Sequence, residues 1–409
     1  MTGRRVQVVD PNLGVASSSE AWRWSYDLAM EPSPRPSALT MPPGAAMHSA
    51  GTRGDNGEWI QSIGLERTVV RIKGAVSVAA LCVLLAGCGL SEKAVDRVSD
   101  AGKVTQGGRV FLTVDFQPGQ TLRYKFTSKK NIAVDWDPNG AANANHVQEQ
   151  SETFEMIVAY TPVEVDPYGV STVRAAVESV RAVRSGGPGA RNFGTDAVES
   201  AQGKSFTLKV DPRGKIVDAA ELAALIQEMG QQAFRAGTAM GRIKEPDMIG
   251  DFIASQWFLW DAQSSLERPA EGVAVGQTWP SQLPVPTPMV MRQARNVVYK
   301  LDEIRQAADE SLAVITSTYT PADSTPAGWP IPYSGRFQMS GTFGFLGPYE
   351  VLGLEGTGTE LFNLKTGRLE QRQEKYVLRV RAGLPPLGIK ANPHITIDQT
   401  LTMELANRE

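Results

Sequence analysis

The chain has 409 residues, with 41 Lys and Arg against 44 Asp and Glu, so its formal net charge is −3 at pH 7. This near-balance provides no basic field for a nucleic acid and no acidic tail for a cationic partner. Two cysteines and three histidines leave little material for a thiolate nucleophile, a zinc–thiolate site or acid–base catalysis near neutral pH. The composition therefore predicts a protein that is not an enzyme.

The first 69 residues do not read as part of a folded domain. Residues 1–69 are rich in Pro, Gly, Ser and Ala and have no sustained hydrophobic period. Such a segment buries too little apolar surface to offset its chain entropy. We interpret it as a disordered N-terminal extension or as a misassigned start, with translation beginning at Val70. Both interpretations exclude residues 1–87 from the folded body.

A secretory signal is predicted over residues 70–87. Two cations, Arg71 and Lys73, lead into an apolar run that ends on small residues. This order of a charged region, an apolar region and small residues is typical of an exported precursor, and the run is too short to span a bilayer as a mature helix. The protein is therefore predicted to work in the cell envelope.

The end of that run carries a more specific pattern, Leu85, Ala86, Gly87 and Cys88. It resembles the lipobox of bacterial lipoprotein precursors. The resemblance implies that the signal is cut between Gly87 and Cys88, that Cys88 is acylated, and that the mature chain is held to a membrane by lipid. Because Gly89 rather than Asp follows the cysteine, the resemblance also implies the outer membrane, with the body facing the periplasm or the cell surface.

The mature body is predicted to be mainly β. Runs of β-forming residues alternate with turns that contain Pro, Gly and Asp, a pattern typical of an antiparallel meander that forms a sandwich or an open barrel. Strands are predicted over residues 110–114, 122–126, 153–158, 170–177, 206–210, 215–217, 297–301, 311–319, 335–345, 356–364, 368–380 and 394–405.

Helical periodicity interrupts these strands. Apolar residues at three- and four-residue spacing predict one helix over residues 219–236 and a second over 247–266. The predicted organisation is then a lipidated tether over 88–108, a first β half over 109–217, a helical insertion over 218–268 and a second β half over 269–409.

A weak similarity within the sequence suggests the hypothesis that the two β halves are related. The tripeptide Gly-Gln-Thr occurs at 119–121 and again at 276–278, and each half closes with a similar hairpin. One continuous meander is the alternative. The hairpin motifs at 210–216 and 364–369, together with the lipobox, resemble an uncharacterised family of secreted bacterial lipoproteins that is defined as a domain of unknown function. This resemblance implies no activity and no functional residues.

One short motif suggests a metal. The alternating oxygen ligands Asp135, Asp137 and Asn139, followed by glycine, begin like a calcium loop of the EF-hand type. His146 stands at the twelfth position, where that loop needs a bidentate glutamate. We therefore weigh a weak calcium site against a solvated hairpin loop, and we expect no other cofactor.

Aromatic residues suggest an apolar pocket, because a curved sheet covered by helices can hold acyl chains and pockets favour such linings. The alternative is that these residues belong to the core. The candidates are Trp257, Phe258, Trp260, Trp279, Phe343 and Phe345.

Two functional hypotheses follow. The first is a lipid-anchored, noncatalytic envelope protein that binds an apolar ligand, such as a lipid, between its sheet and its helices. The second is a structural or assembly lipoprotein that binds an envelope protein through a surface patch or an edge strand. A dry cavity of several hundred Å³ favours the first hypothesis, and a filled core favours the second. A cluster of carboxylates in a cleft would point instead to an enzyme.

Overall fold

The computed structural model describes residues 108–140, 146–186, 194–234, 242–289, 291–307, 310–325, 329–333, 335–384 and 392–406. These residues all belong to one compact unit, Ser91–Glu409. The predicted signal, its predicted cleavage site at Gly87, the predicted lipidation site Cys88 and the predicted tether before Gly108 lie outside the described residues.

Fifteen strands and four α-helices are present in the described part of the chain. The strands are β1 (Arg109–Val110), β2 (Leu122–Asp135), β3 (Val147–Val165), β4 (Ser171–Gly186), β5 (Ser205–Val210), β6 (Ile216–Asp218), β7 (Arg242–Lys244), β8 (Val273–Ala274), β9 (Thr278–Val285), β10 (Gln293–Ala307), β11 (Glu310–Pro321), β12 (Phe337–Met339), β13 (Tyr349–Asn363), β14 (Arg368–Ala382) and β15 (His394–Leu405). The helices are α1 (Ala220–Gln232), α2 (Ile249–Trp257), α3 (Asp261–Ser264) and α4 (Thr342–Phe345).

Eleven of the described strands form one antiparallel sheet in the order β6-β5-β4-β3-β2-β15-β14-β13-β11-β10-β9. Strands that follow each other in the chain are mostly neighbours in the sheet, and β15 returns to pair with β2 so that both β halves share one sheet. Every second side chain of β2 is buried, as expected for a sheet with one covered face. The predicted mainly β, antiparallel fold is confirmed.

The sheet curls into a trough. The amides of Val114 and Asp115 donate to the carbonyls of Pro212 and Gly367, at 2.9 and 3.1 Å. Pro212 lies in the β5–β6 turn and Gly367 in the β13–β14 turn, and four strands separate β5 from β14. In a flat sheet, those strands would hold the two turns about 24 Å apart. Val114 and Asp115, which bind the two turns, are consecutive residues, and their Cα atoms lie only about 3.8 Å apart. The sheet must therefore bend to bring both turns to one short segment.

That segment, residues 109–116, is called the strap below. Four alternate side chains are buried at this end of the trough, those of Val110, Leu112, Val114 and Phe116. The predicted strand over 110–114 is wrong, because ladder pairing is limited to β1 with β8. The rest of the strap is extended but lies against two turns, which offer single carbonyls rather than a continuous strand edge.

The helices α1, α2 and α3 fall within the predicted insertion at 218–268, and the buried faces of α1 and α2 join the core of the sheet. The single helix predicted over 247–266 is wrong, because the chain breaks between α2 and α3 at residues 258–260. At the break, Arg372 of β14 donates to the carbonyl of Phe258, and Trp260 packs edge-on against Phe116 and Tyr160. Tertiary contacts thus replace helical ones.

The strand predicted over 335–345 is also largely wrong. This stretch contains only the short β12, followed by α4. β12 pairs in parallel with β7, a strand of the helical insertion, so it does not continue the large sheet. The ring of Phe337, in β12, packs against Phe234 and Tyr333, at centroid distances of 5.3 and 5.8 Å. The long connection between β11 and β13 therefore binds the second β half to the helices.

Candidate functional site

A belt of polar side chains crosses the concave face of the sheet opposite α2 and α3. Strand alternation directs these groups inward at positions where the rest of each strand presents apolar residues, and nearly all of them are buried. The polar belt is defined as Ser128, Lys130, Glu152, Arg295, Tyr299, Glu360, Arg372, Glu374 and Gln399 of the sheet with Asp251, Asp261 and Gln263 of the helices.

Asp251 attaches α2 to the centre of the sheet. Its Oδ1 accepts hydrogen bonds from Ser128 Oγ at 2.7 Å and Gln399 Nε2 at 3.0 Å, and its Oδ2 lies 2.5 Å from Lys130 Nζ. Lys130 also lies 3.5 Å from Glu152. Burial by itself would lower the pKa of Lys130, but the two carboxylates outweigh it and raise that pKa above the usual value. The ammonium group therefore stays charged inside the protein.

Two buried guanidinium groups form the other half of the belt. Arg372 Nη2 lies 2.5 Å from Glu374 Oε1 and donates to Tyr299 Oη at 2.9 Å. Arg295 pairs with the second oxygen of Glu374, and its guanidinium carbon lies 4.3 and 4.5 Å from the ring centres of Tyr319 and Tyr376. Burial by itself would raise the pKa of Glu374, but the two arginines hold it below the usual value.

Asp261 attaches the start of α3 to the edge of the sheet. Tyr299 Oη of β10 donates to its Oδ2 at 2.7 Å, and Ser281 Oγ of β9 donates to its Oδ1 at 3.1 Å. Nearby, Trp279 Nε1 donates to the carbonyl of Ala262 at 2.9 Å. Burial raises the pKa of Asp261, although Arg372 opposes the shift. Side-chain hydrogen bonds thus bind α3 to β9 and β10.

Glu360 is a buried carboxyl group of the belt whose nearest counter-charge is comparatively distant. Its Oε1 accepts from Gln263 Nε2 of α3 at 2.5 Å, and its Oε2 lies 3.8 Å from Arg372 Nη1. Three carboxyl groups, those of Asp261, Glu360 and Glu374, face only two guanidinium groups in this half of the belt. Burial raises the pKa of Glu360 to about 7, against the smaller effect of Arg372. This side chain can therefore hold a proton near neutral pH.

The sequence analysis did not identify the belt. Its only local signal is a charged residue at an inward position of an alternating strand, such as Glu360 two residues before the buried Phe362 or Lys130 two residues before the buried Ile132. Inward polar residues can be recognised as a site only when their partners are known. The partner of Lys130, Asp251, is 121 residues away in the chain.

The buried faces of α2 and α3 pack into the core against the sheet. Beside Ser128, Asp251 and Ser255, a cavity of about 10 Å³ lies between α2 and the sheet, no larger than one water molecule. A larger groove of about 340 Å³ lies outside the belt, between the 3₁₀ helix Ala197–Ala201 and the end of α1. Its lining is mixed and includes the carboxyl groups of Asp196, Glu199 and Glu245.

The six aromatic residues predicted to line a pocket lie in different environments. Phe258, Trp260 and Trp279 are buried in the core, and Trp257 is partly buried against it. The other two belong to α4, where Phe343 is buried and Phe345 is 61% exposed. The groove of about 340 Å³ is lined by none of these six side chains. The apolar pocket therefore stays a prediction.

The predicted calcium loop forms the tip of the β2–β3 hairpin. Asp135 Oδ1 accepts from the amide of Asp137 at 3.1 Å and lies 2.8 Å from His146 Nδ1. Asp137 and Asn139 are exposed. In the part of the chain that the structure describes, no group of three Asp, Glu, His or Cys side chains is arranged to hold a metal ion. The contacts of Asp135 are those of a hairpin turn, and calcium binding stays a prediction.

No protein-family model matches this sequence, and no curated protein matches it. Among solved structures, the chain is similar to lipovitellin, in a structure that reports lipid–protein interactions, with a TM-score of 0.34 and 10% sequence identity. The match covers 72% of this chain and 26% of the lipovitellin chain, so this protein spans about a quarter of that chain. A likeness of this strength carries no argument about function. Among the described residues, none of the helices has the length and hydrophobicity needed to cross a membrane.

Proposed function

We propose that the protein is an exported, noncatalytic envelope lipoprotein, anchored through acylated Cys88, that acts on an envelope partner through the surface of its folded body. The observation that carries this proposal is the filled trough. α2, α3 and the strap occupy the concave face of the sheet, and buried ion pairs fasten the helices there. A body whose interior is occupied by its own chain interacts through its exterior.

The burial of the polar belt supports a noncatalytic role. Glu360 and Glu374 are at most 2% exposed, and both are covered by helix or strand neighbours. A catalytic carboxyl group must come within hydrogen-bonding distance of a substrate. Reaching these groups would require α3 to leave the sheet, so their contacts fit fastening of the helices better than chemistry.

A face of the body is a better partner site than the edges of its sheet. The edge strand β6 has only three residues. The other edge strand, β9, carries Pro280 and Pro284, which have no backbone N–H to offer to an added strand. Short strands and prolines are the usual protection of sheet edges against pairing. Of the two modes considered for a partner protein, the geometry therefore favours a surface patch.

The anchor is tested in the full chain expressed in a bacterium that processes lipoproteins. We expect mass spectrometry to find a mature N-terminal peptide that begins at an acylated Cys88, and Cys88→Ser to abolish this peptide and to leave the signal uncut. Cys82→Ser is the matched control, because Cys82 is the only other cysteine and lies inside the signal. A native N-terminal peptide without acyl mass, or normal cleavage in Cys88→Ser, would contradict the proposal.

A second candidate function is the binding of an apolar ligand under the helices. The observation that favours it is the polar belt, because helices fastened by side-chain pairs above apolar strands can separate without breaking the sheet. The test is native mass spectrometry of the chain from Gly89 onward, exported behind a signal without a lipobox. A co-purifying mass of lipid size that organic extraction removes would establish this candidate, and a clean apo mass would exclude tight lipid carriage.

A further inference from the structure

Three turns form a continuous surface at the end of the trough where the strap lies. The amide of Gly119 donates to the carbonyl of Pro162 at 3.2 Å, which joins the turn before β2 to the end of β3. A Cβ atom on Gly169 would lie only 2.8 Å from Pro212 Cγ, so the β3–β4 turn packs against the β5–β6 turn. Residues 117–120, 163–169 and 211–217 are called the turn surface below.

The turn surface is apolar at its most exposed points. Tyr168 is 87% exposed, Val163 56% and Val217 53%. A tyrosine with an accessible ring and hydroxyl group suits the boundary between lipid headgroups and acyl chains. Single exposed valines are ordinary on a protein surface, but here they share one end of the sheet with Tyr168, the most exposed large hydrophobic side chain of the described residues.

The charges of the turn surface nearly cancel. Arg213 and Lys215 are exposed, but Arg213 Nη2 lies 2.6 Å from Asp211 Oδ2, and Glu164 is also exposed. The carboxyl group of Asp166 accepts from the amides of Tyr168 and Val170, at 2.8 and 2.9 Å, so it shapes the turn. A contact made by this surface would therefore depend on Tyr168 and its apolar neighbours more than on anionic lipid.

The first described segment of the chain leads to the turn surface. The described chain begins at Gly108, continues through the strap, and reaches Pro212 of the turn surface through the amide of Val114. Cys88 lies twenty residues before Gly108 in the sequence (108 − 88). A short tether keeps this end of the body at a high effective concentration near the membrane, so that even a weak contact with the lipid forms most of the time.

We propose that the turn surface rests on the lipid bilayer to which the protein is anchored, with the Tyr168 ring at the headgroup level. This inference depends on the proposed lipid anchor at Cys88. It gives the body an orientation, with the β2–β3 hairpin at the far end of the sheet. The fourteen residues of β2 place that hairpin about 45 Å from the turn surface.

The test uses the full, acylated chain in phosphatidylcholine vesicles. Val217→Cys, on the turn surface with Tyr168 retained, is labelled with an environment-sensitive fluorophore, which is specific because Cys88 is acylated and Cys82 is removed with the signal. Asn139→Cys, in the exposed β2–β3 turn, is the matched control. We expect the label at 217 to emit at shorter wavelength and to be quenched several-fold more by acyl-chain-brominated lipid than the label at 139. Val163→Cys, which is also exposed on the turn surface, should behave like Val217→Cys.

Vesicle flotation in the same samples separates the two proposals. Chains that float with the vesicles while the labels at 217 and 139 are quenched equally would overturn the docking surface and leave the anchor intact. Chains that do not float would overturn the anchor itself. Quenching of the label at 217 that occurs only with anionic lipid would contradict an apolar contact, because the turn surface has no net excess of cations.

Discussion

The ammonium group of Lys130 lies 2.5 Å from the carboxylate of Asp251, and both side chains are buried. Lys130 belongs to β2, and Asp251 belongs to α2, so this pair joins the helical insertion to the central region of the sheet. A buried ion pair contributes little net stability against an apolar replacement, whereas loss of one partner leaves an uncompensated charge. Removing one member of the pair should therefore destabilise the fold strongly, whereas replacing both members with apolar residues should change its stability much less.

We predict that Lys130→Met lowers the free energy of unfolding by about 3–5 kcal/mol, because Asp251 would keep only neutral hydrogen-bond donors inside the protein. The double variant Lys130→Met, Asp251→Leu should recover part of that loss. Urea denaturation of Lys130→Met, of Asp251→Leu and of the double variant gives the coupling energy. Arg381→Gln, which removes an exposed pair with Glu350, is the control and should change little. Strictly additive effects of Lys130→Met and Asp251→Leu would contradict a direct interaction between Lys130 and Asp251.

Glu360 predicts a specific dependence of stability on pH. Its folded pKa of about 7 lies above the value of 4.5 expected without burial, so the folded state binds the proton more tightly. The group therefore destabilises the fold increasingly as the pH rises from 4.5 towards 7. We expect Glu360→Gln to be stabilising at pH 8, with its advantage over the native protein growing by about 2–3 kcal/mol between pH 5 and pH 8.

Urea unfolding at both pH values measures this difference, and Glu374→Gln is the matched control. Because two arginines hold the pKa of Glu374 below its usual value, that carboxylate stabilises the fold above its unfolded pKa. Glu374→Gln should therefore be destabilising at pH 8, opposite in sign to Glu360→Gln. If both variants changed the free energy of unfolding at pH 8 in the same direction, the opposite pKa shifts of Glu360 and Glu374 would be contradicted.

The closure of the trough by the strap predicts unequal effects of two glycine substitutions. Gly214 has a φ of +81°, and an added Cβ would lie 2.5 Å from the Cβ of Trp260. Gly119 has a similar φ of +79° but open space around it. Both Ala variants should lose roughly 1–2 kcal/mol from the backbone. Gly214→Ala should lose about 1–3 kcal/mol more, because the added Cβ crowds Trp260 and also Val114 of the strap, whose Cγ2 would lie 3.0 Å away. Thermal unfolding compares the two, and equal losses would contradict close packing at Gly214.

The prolines of β9 predict self-association when they are removed. We expect the double variant Pro280→Thr, Pro284→Thr to form dimers or larger species at concentrations where the native protein does not, because the edge gains strand-forming residues and amide donors. Sedimentation velocity measures this change. Pro118→Thr, in an exposed turn away from the edge, is the control. An unchanged sedimentation coefficient in the double variant would show that the prolines do not protect the edge.

Short-range patterns predicted the parts of this fold that depend on neighbouring residues. The β5–β6 hairpin around residues 211–214 was expected from its Asp-Pro-Arg-Gly turn, and it forms with strands Ser205–Val210 and Ile216–Asp218. The predicted strands from 122 to 210 are confirmed and extend further, because pairing with neighbours lengthens a strand beyond its most strand-like residues. The strand predicted over 215–217 is found one residue later, at Ile216–Asp218. The break between α2 and α3 was missed, because Arg372, which binds it, is 114 residues distant.

The sequence by itself determined the mainly antiparallel β class, because this class depends on residue type at short and regular spacing. The signal and the acylation of Cys88 stay predictions from patterns of the same kind. Only the tertiary structure decided that residues 109–116 form a strap, since its partners Pro212 and Gly367 meet only when the sheet curls. The polar belt likewise depends on strands and helices that are distant in the chain. The raised pKa of Glu360 is caused by its burial, and burial is a property of the assembled fold.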